Sequence, residues 1–229
     1  ERFFTTRPME ELYDVVEDPY ETVNLATDPA YKDALLELRG RLTERLKTMP
    51  DLSFIPERDL VEQAVHAPVD FGHAQRGRID RLIDVADLAL QPFSVAKPGI
   101  EAALAANDPI LRYWGLIACS IFDEQARVFK DTAKQLAASD SDLLVRARAA
   151  EFLAMIRAED PQPVLLDVLA KSESMLETTL VLNIITLLQD GEWGYTFDLD
   201  PAKIRTKGFF VDRCLLHLCG ILIPPKPSN

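Results

Sequence analysis

Hydrophobic residues recur every three or four positions from residue 79 to about residue 189, with polar residues between them. This spacing places them on one face of successive amphipathic α-helices. Two polar groups, Asn107-Asp108-Pro109 and Ser139-Asp140-Ser141-Asp142, each have the residues that cap the start of a helix. The pattern predicts a mainly α-helical fold with these inward faces: Ile79, Leu82, Ile83 and Ala86; Ile100, Ala103 and Leu104; Leu111, Trp114, Ile117 and Ile121; Ala126, Phe129, Ala133 and Leu136; Val145, Ala149, Phe152 and Ile156.

Further helices are predicted from the positions of prolines and apolar runs. One is expected over residues 98–106, starting at Pro98, because proline suits the first turn of a helix. Shorter helices are expected over residues 163–170 and 175–188, and a last apolar segment covers residues 209–223. The loop before that segment contains Trp193 and Tyr195, which could stack against a sugar or form a hydrophobic plug on the end of the helical array. We favour the plug.

The N-terminal third of the chain follows a different pattern. Residues 3–6 and 12–16 are β-prone runs, and we expect two short strands there. Asp18-Pro19 predicts a turn, and Asp28-Pro29 predicts a helix start, with a helical face formed by Tyr31, Leu35, Leu38, Leu42, Leu46 and Met49. Residues 50–77 are rich in proline and lack sustained periodicity. We therefore expect three parts: residues 1–49, a linker over 50–77, and a helical domain over 78–229.

The helical region contains an internal repeat. Residues 107–114 and 140–147 contain similar strings in which Arg112 corresponds to Arg146, and a weaker third copy begins near Met175. A helix pair of this length cannot bury its apolar face alone, so neighbouring pairs must stack. The string around Val145 and Arg146 resembles the start of a HEAT-like repeat helix. Tetratricopeptide repeats have a similar length, but their fixed aromatic and glycine positions are not reproduced here.

Arg112 and Arg146 are the charged residues that this repeat places at equivalent positions. An arginine can bind a sulfate or carboxylate with its planar guanidinium group. In stacked repeats, an arginine at this position more often pairs with an aspartate of the adjacent repeat. We therefore predict a structural role for both residues and keep anion binding as the alternative.

Residues 11–26 carry the most specific motif in the chain. They resemble the closing motif of sulfatases, E-L-Y-D-L-x-x-D-P-x-E-x-x-N-L-A, and Val15 stands where leucine is usual. The matching residues are Glu11, Leu12, Tyr13, Asp14, Asp18, Pro19, Glu21, Asn24, Leu25 and Ala26. Many bacterial sulfatases also resemble this chain beyond the motif, with a linker and then a string like Asp108-Pro109-Ile110-Leu111-Arg112-Tyr113-Trp114. The resemblance implies the C-terminal part of a formylglycine-dependent sulfatase.

The catalytic residues of that family are not found in this sequence. No cysteine or serine stands in the C/S-x-P-x-R pattern that yields formylglycine, and no set of acidic residues matches the family's calcium site. We therefore expect no catalytic, cofactor or metal site in this chain, whereas the resemblance implies a parent enzyme that needs calcium and a formylglycine. It also implies a periplasmic or secreted parent, whose catalytic domain would be the partner of this chain within one polypeptide.

Composition narrows the range of partners. The net charge of −12 disfavours binding to nucleic acid and to anionic membranes. No apolar run reaches the ~18 residues of a membrane span. The three cysteines form no disulfide framework. Together with these limits, the resemblance implies a non-catalytic portion of a sulfatase that acts on sulfated glycans or other sulfate esters, with a homo-oligomer as a further candidate assembly. The alternative is a stand-alone helical-repeat module that binds a protein partner.

Overall fold

The computed structural model describes residues 8–220, and within them it is mainly helical with no β-strand. The chain divides after Asp51 into two compact units, of which the second begins at Leu52. The predicted mainly α-helical fold is therefore confirmed. The division into a subdomain, a linker and a repeat domain stays a prediction, although Leu52–Phe54 and the two helices that follow belong to the second unit rather than to an unstructured segment.

Unit 1 contains the turn-rich residues 8–28, a 3-10 turn over Pro29–Tyr31, and helix α1 over Lys32–Thr48. The predicted helix start is confirmed, because the Asp28 carboxylate accepts a hydrogen bond from the Ala30 N–H and Pro29 follows as the first helical residue. None of the α1 residues is buried, and Leu38 and Leu42 are 49% and 59% exposed. Half of the predicted apolar face, at Leu38, Leu42 and Met49, is therefore exposed, and the other half is only partly buried.

The strand predicted over residues 12–16 is not formed. This segment is irregular and ends in a turn, because side chains of the same region bind its backbone N–H groups. Its β-prone residues Val15 and Val16 are exposed. The other predicted strand, over residues 3–6, lies outside the described residues.

Unit 2 contains ten α-helices among the described residues, joined by short turns and 3-10 segments. Helices α4, α6, α8 and α10 pack side by side in chain order, and α5, α7 and α9 pack on them as a second layer. Helix α11 packs on α10. The helices are α2 Glu57–Gln63, α3 Pro68–Ala74, α4 Arg76–Ala86, α5 Phe93–Leu104, α6 Pro109–Phe122, α7 Lys130–Ser139, α8 Leu143–Met155, α9 Gln162–Lys171, α10 Met175–Asp190 and α11 Phe209–Cys219.

Local capping chemistry explains where several helices begin. Asp108 caps α6 by accepting from the Ile110 N–H, and Asp142 caps α8 by accepting from the N–H groups of Leu144 and Val145. Both predicted caps are confirmed. The predicted start at Pro98 is wrong, because α5 begins at Phe93 and Pro98 lies inside it. Proline in a helix interior removes one backbone donor, but the buried apolar face of α5 outweighs that loss.

The buried face of α6 also differs from the predicted one. The residues in the core are Ile110, Tyr113, Leu116, Cys119 and Phe122, whereas the predicted stripe is half-buried or, at Ile121, exposed. Helix α6 is apolar on both faces, so periodicity alone selected the wrong one. This leaves a second apolar stripe along α6 next to the core.

Candidate functional site

The motif of residues 11–26 is drawn together by the side chain of Asn24. Its Oδ1 accepts hydrogen bonds from the N–H groups of Leu12 (2.9 Å) and Ala26 (3.0 Å), and its Nδ2 donates to the carbonyl of Glu10 (3.0 Å). The Leu25 N–H completes the closure by donating to the Leu12 carbonyl (2.8 Å). An asparagine can do this because its amide carries both an acceptor oxygen and a donor nitrogen. Asn24 therefore holds the two ends of the motif together.

Two aspartates close the turns inside this loop. Asp14 accepts from the N–H groups of Val16 and Glu17, and Asp18 accepts from those of Thr22 (2.6 Å) and Val23 (2.8 Å). The motif residue Glu21 lies inside the Asp18 turn, directly before Thr22, with φ at 52° in the left-handed region. The other motif residues, Glu11, Leu12, Tyr13, Pro19 and Leu25, line the same loop, and none of them is buried. Side chains of the motif thus accept hydrogen bonds from backbone N–H groups of the same loop. Any further role of the motif stays a prediction.

The Asp18 turn should depend on pH. The Val23 N–H, together with the Thr22 hydroxyl and N–H, lowers the pKa of Asp18. Because the pKa of Asp18 is lower in the folded than in the unfolded state, its ionised carboxylate stabilises the turn above the unfolded-state pKa of ~3.9. This stabilisation is lost as the pH falls through the folded-state pKa. Below pH ~4, the amide NMR signals of Thr22 and Val23 should therefore move together. In Asp18→Asn that titration should vanish; its persistence would assign it to another group.

Unit 2 contains a row of arginine–aspartate pairs spaced by the repeat. Arg78, Arg112 and Arg146 follow one another at equal intervals along the chain. Arg78 binds Asp108 through two hydrogen bonds (2.6 and 2.7 Å), Arg112 binds Asp140 in the same way (2.7 and 2.8 Å), and Arg146 pairs with Asp167 (2.8 Å). Each arginine thus reaches an aspartate that comes later in the chain, next to or within a following helix.

In these pairs, the arginine N–H groups that would bind an anion already bind aspartate. Arg112 also donates to the carbonyls of Ala106 and Asn107, and Arg146 donates to the carbonyl of Ala137. The structure therefore contains the aspartate pairing expected for the two arginines, and their structural role stays a prediction. Sequence reasoning missed Arg78, although it lies one repeat interval upstream of Arg112 and could have been identified from that spacing.

Arg58 forms the largest ionic cluster in the described part of unit 2. Its guanidinium group binds Glu177 (2.7 Å), Asp142 (2.8 Å) and Asp59 (3.0 Å), and all four side chains are at most 14% exposed. Burial lowers the pKa of Arg58, but the hydrogen bond and charge of Asp142 and the bonds to the other two carboxylates raise it overall. Arg58 thereby joins residues 52–63 to the N-terminal ends of α8 and α10. No local pattern in the sequence indicates this cluster.

The aromatic loop after α10 caps the end of α8. The Trp193 Nε1 donates to the Met155 carbonyl (3.1 Å), and the Tyr195 hydroxyl donates to the Ala154 carbonyl (3.1 Å). The Met155 carbonyl is among the last four of α8, which have no intrahelical partner, whereas the Ala154 carbonyl also accepts from the Arg157 N–H (2.9 Å). Both rings also pack against the core, as a plug would.

The three cysteines are free thiols. Burial raises the pKa of Cys119 to about 12, and burial raises the pKa values of Cys214 and Cys219 as well. Because the thiolate is the reactive form, Cys119 should not react with Ellman's reagent at pH 8 until the protein is unfolded in urea. Absorbance should report no more than two thiols before unfolding and three afterwards. In a double variant, Cys214→Ser with Cys219→Ser, only the Cys119 thiol remains. Rapid reaction of this folded variant with Ellman's reagent would contradict the prediction.

The described residues 8–220 contain no group of three or more His, Cys, Asp or Glu side chains placed to hold a metal ion. Over the same residues, no helix is both long and apolar enough to cross a membrane.

Comparison with known proteins gives one informative match. Over 61 residues, 27% of its length, this chain is 39% identical to an ulvan-active sulfatase of Formosa agariphila. The match covers 10% of that sulfatase, so the chain spans about a tenth of its relative's length. No protein-family model and no solved structure matches the chain. The chain therefore contains a region related to a sulfatase.

Proposed function

We propose that this chain is the C-terminal, non-catalytic portion of a sulfatase that acts on sulfated glycans or other sulfate esters. The observation that carries the proposal is the 39% identity to an ulvan-active sulfatase over 61 residues. The motif of residues 11–26 supports it, because Asn24, Asp14 and Asp18 each have a defined part in closing one loop. A sulfated polysaccharide is the substrate class that the relative's name suggests for the parent enzyme.

The partner of unit 1 would be the catalytic domain of the same polypeptide. Helix α1 supports this, because none of its residues is buried and Leu38 and Leu42, which lie on one face of the helix, are about half exposed. Exposed apolar side chains on one helix face are typical of surfaces that another domain covers. Calcium and formylglycine would then belong to the catalytic domain.

Unit 2 would be a HEAT-like helical-repeat extension. Two features support this: the two-layer packing of α4–α10 and the row formed by Arg78, Arg112 and Arg146. Such arrays are stabilised by contacts between successive repeats, and each arginine pair makes a contact of that kind.

An antibody raised against this chain tests the proposal in the source cells. We expect an immunoblot band well above the 25.7 kDa of the chain, and the precipitated protein should hydrolyse 4-methylumbelliferyl sulfate or release sulfate from a sulfated polysaccharide. The isolated chain should release none. A precipitated large protein without this activity, or a band at the mass of the chain alone, would contradict the proposal.

The alternative is a stand-alone helical-repeat module that binds a protein partner. The two-layer helical unit favours it, since extended repeat surfaces commonly bind proteins. A band at the mass of the chain alone that co-precipitates a second protein would support this alternative.

A further inference from the structure

A cleft of about 540 Å³ opens on unit 2 where residues 53–60 face helices α6, α8 and α10. One wall is formed by Ser53, Phe54, Ile55, Pro56, Glu57 and Leu60, and the other by Tyr113, Trp114, Ile117, Arg148 and Leu180. Its size lies within the ~300–1,000 Å³ of small-molecule sites. The lining is mainly apolar, with a few polar groups.

The apolar wall on α6 lies at the edge of the core. The core of unit 2 takes the α6 face that carries Ile110, Leu116 and Cys119. Trp114 and Ile117 lie on the neighbouring stripe and are half-buried, so that they pack against the core and also line the cleft. Apolar side chains that remain in contact with solvent beside a concave surface are typical of a binding site.

The aromatic part of the cleft is held in one orientation. The Trp114 Nε1 donates to the Phe54 carbonyl (2.7 Å), and the two rings lie 5.5 Å apart at 40°. Arg58 anchors the segment that carries Phe54, through its bonds to α8 and α10. The indole ring is therefore fixed before a ligand arrives, which reduces the entropy lost on binding.

The charges in the cleft disfavour an acidic ligand. Arg148 binds Glu151 (2.6 Å) and the Tyr113 hydroxyl (2.8 Å), and its guanidinium carbon lies 5.0 Å from the centre of the Tyr113 ring. The Glu151 carboxylate thus already compensates the Arg148 charge, and Glu57 on the opposite wall would repel an anionic ligand. The Arg148 side chain is 21% exposed, however, and its guanidinium group carries more N–H donors than these two partners use, so an uncharged acceptor oxygen in the cleft can bind it.

The geometry points to a saccharide-binding site that holds a neutral pyranose unit. The C–H face of a pyranose packs on an aromatic ring, its hydroxyl oxygens accept from Arg148, and its hydroxyl groups donate to the Glu57 carboxylate. The choice of a saccharide, but not the cleft itself, rests on the proposed action of the parent enzyme on glycans. The site would hold an unsulfated unit of a glycan chain.

Trp114 supplies the signal for a direct test. The full chain with Trp193→Phe has Trp114 as its single tryptophan, and it is titrated with isomaltohexaose, mannohexaose and xylohexaose. At least one should change the Trp114 fluorescence with saturation below about 10 mM, and dextran sulfate should bind more weakly than dextran of equal length. Because ring packing on pyranoses is common to all three sugars, no saturation with any of them would overturn the inference.

Matched variants locate the site by calorimetry. Ile117→Phe fills the cleft and should weaken binding at least tenfold. Ile121→Phe, one turn further along α6 at a position that is 46% exposed and outside the cleft, should bind as wild type does. Glu57→Ala, at an exposed residue, should weaken binding about two- to tenfold, the usual effect of one hydrogen bond, and it keeps the test valid if Ile117→Phe does not fold. Wild-type affinity in both cleft variants would overturn the site.

The two proposals can fail separately. Saccharide binding without sulfatase activity in the precipitated protein would contradict the proposed function but support the saccharide site. Sulfatase activity without saccharide binding would support the proposed function and contradict the saccharide site.

Discussion

Replacing Arg58 with alanine should lower the free energy of unfolding of unit 2 by about 3–5 kcal/mol. The change leaves the carboxylates of Asp59, Asp142 and Glu177 close together and mostly buried without a cation, which is the costly way to break a buried ion pair. It also releases residues 52–63 from α8 and α10. Urea unfolding followed by far-UV circular dichroism measures the change.

The control for Arg58 is Arg205, which pairs with Glu173 at a similar distance of 2.9 Å. Both of these side chains are mostly exposed, at 61% and 82%, so Arg205→Ala should cost less than about 1 kcal/mol. Equal effects of the two substitutions would show that the Arg58 cluster is no more stabilising than a surface pair.

Phe152→Ala should destabilise unit 2 by about 3–5 kcal/mol. Phe152 is fully buried in α8, the helix that packs against α6, α7, α9 and α10, so its removal leaves a cavity at the centre of both layers. For a unit of this size, each kcal/mol corresponds to ~2–4 °C in Tm. Thermal unfolding should therefore shift by ~10 °C.

Phe210→Ala is the matched control for Phe152, because it removes the same side chain from α11, where the residue is 52% exposed. Its expected cost is below about 1 kcal/mol. A similar loss in both variants would contradict the placement of Phe152 at the centre of the core.

Local chemistry explains which structural predictions succeeded. The caps at Asp108 and Asp142 and the helix start at Asp28 could be predicted because the capping side chain, the proline and the first helical residues are adjacent in sequence. Periodicity also located α4, α8 and α10. These signals need no knowledge of distant residues.

The predictions that failed needed information from other parts of the chain. Residues 12–16 are β-prone, but Asn24, twelve residues beyond Leu12, supplies the hydrogen bonds that a neighbouring strand would have supplied. Pro98 resembles a helix start, yet packing of the whole α5 face keeps it inside the helix. The buried face of α6 could not be chosen from periodicity, because the helix has apolar residues on two sides.

The sequence by itself determined the helical class, the capped helix starts, the motif of residues 11–26 and the repeat that relates Arg112 to Arg146. All of these depend on short-range contacts or on repetition along the chain. Only the tertiary structure decided that Arg58 joins α8 and α10 and that Trp114 and Ile117 line a cleft beside the core. Arg58 lies 84 residues before Asp142 and 119 before Glu177, and a contact over that distance forms only when the folded helices bring those carboxylates together.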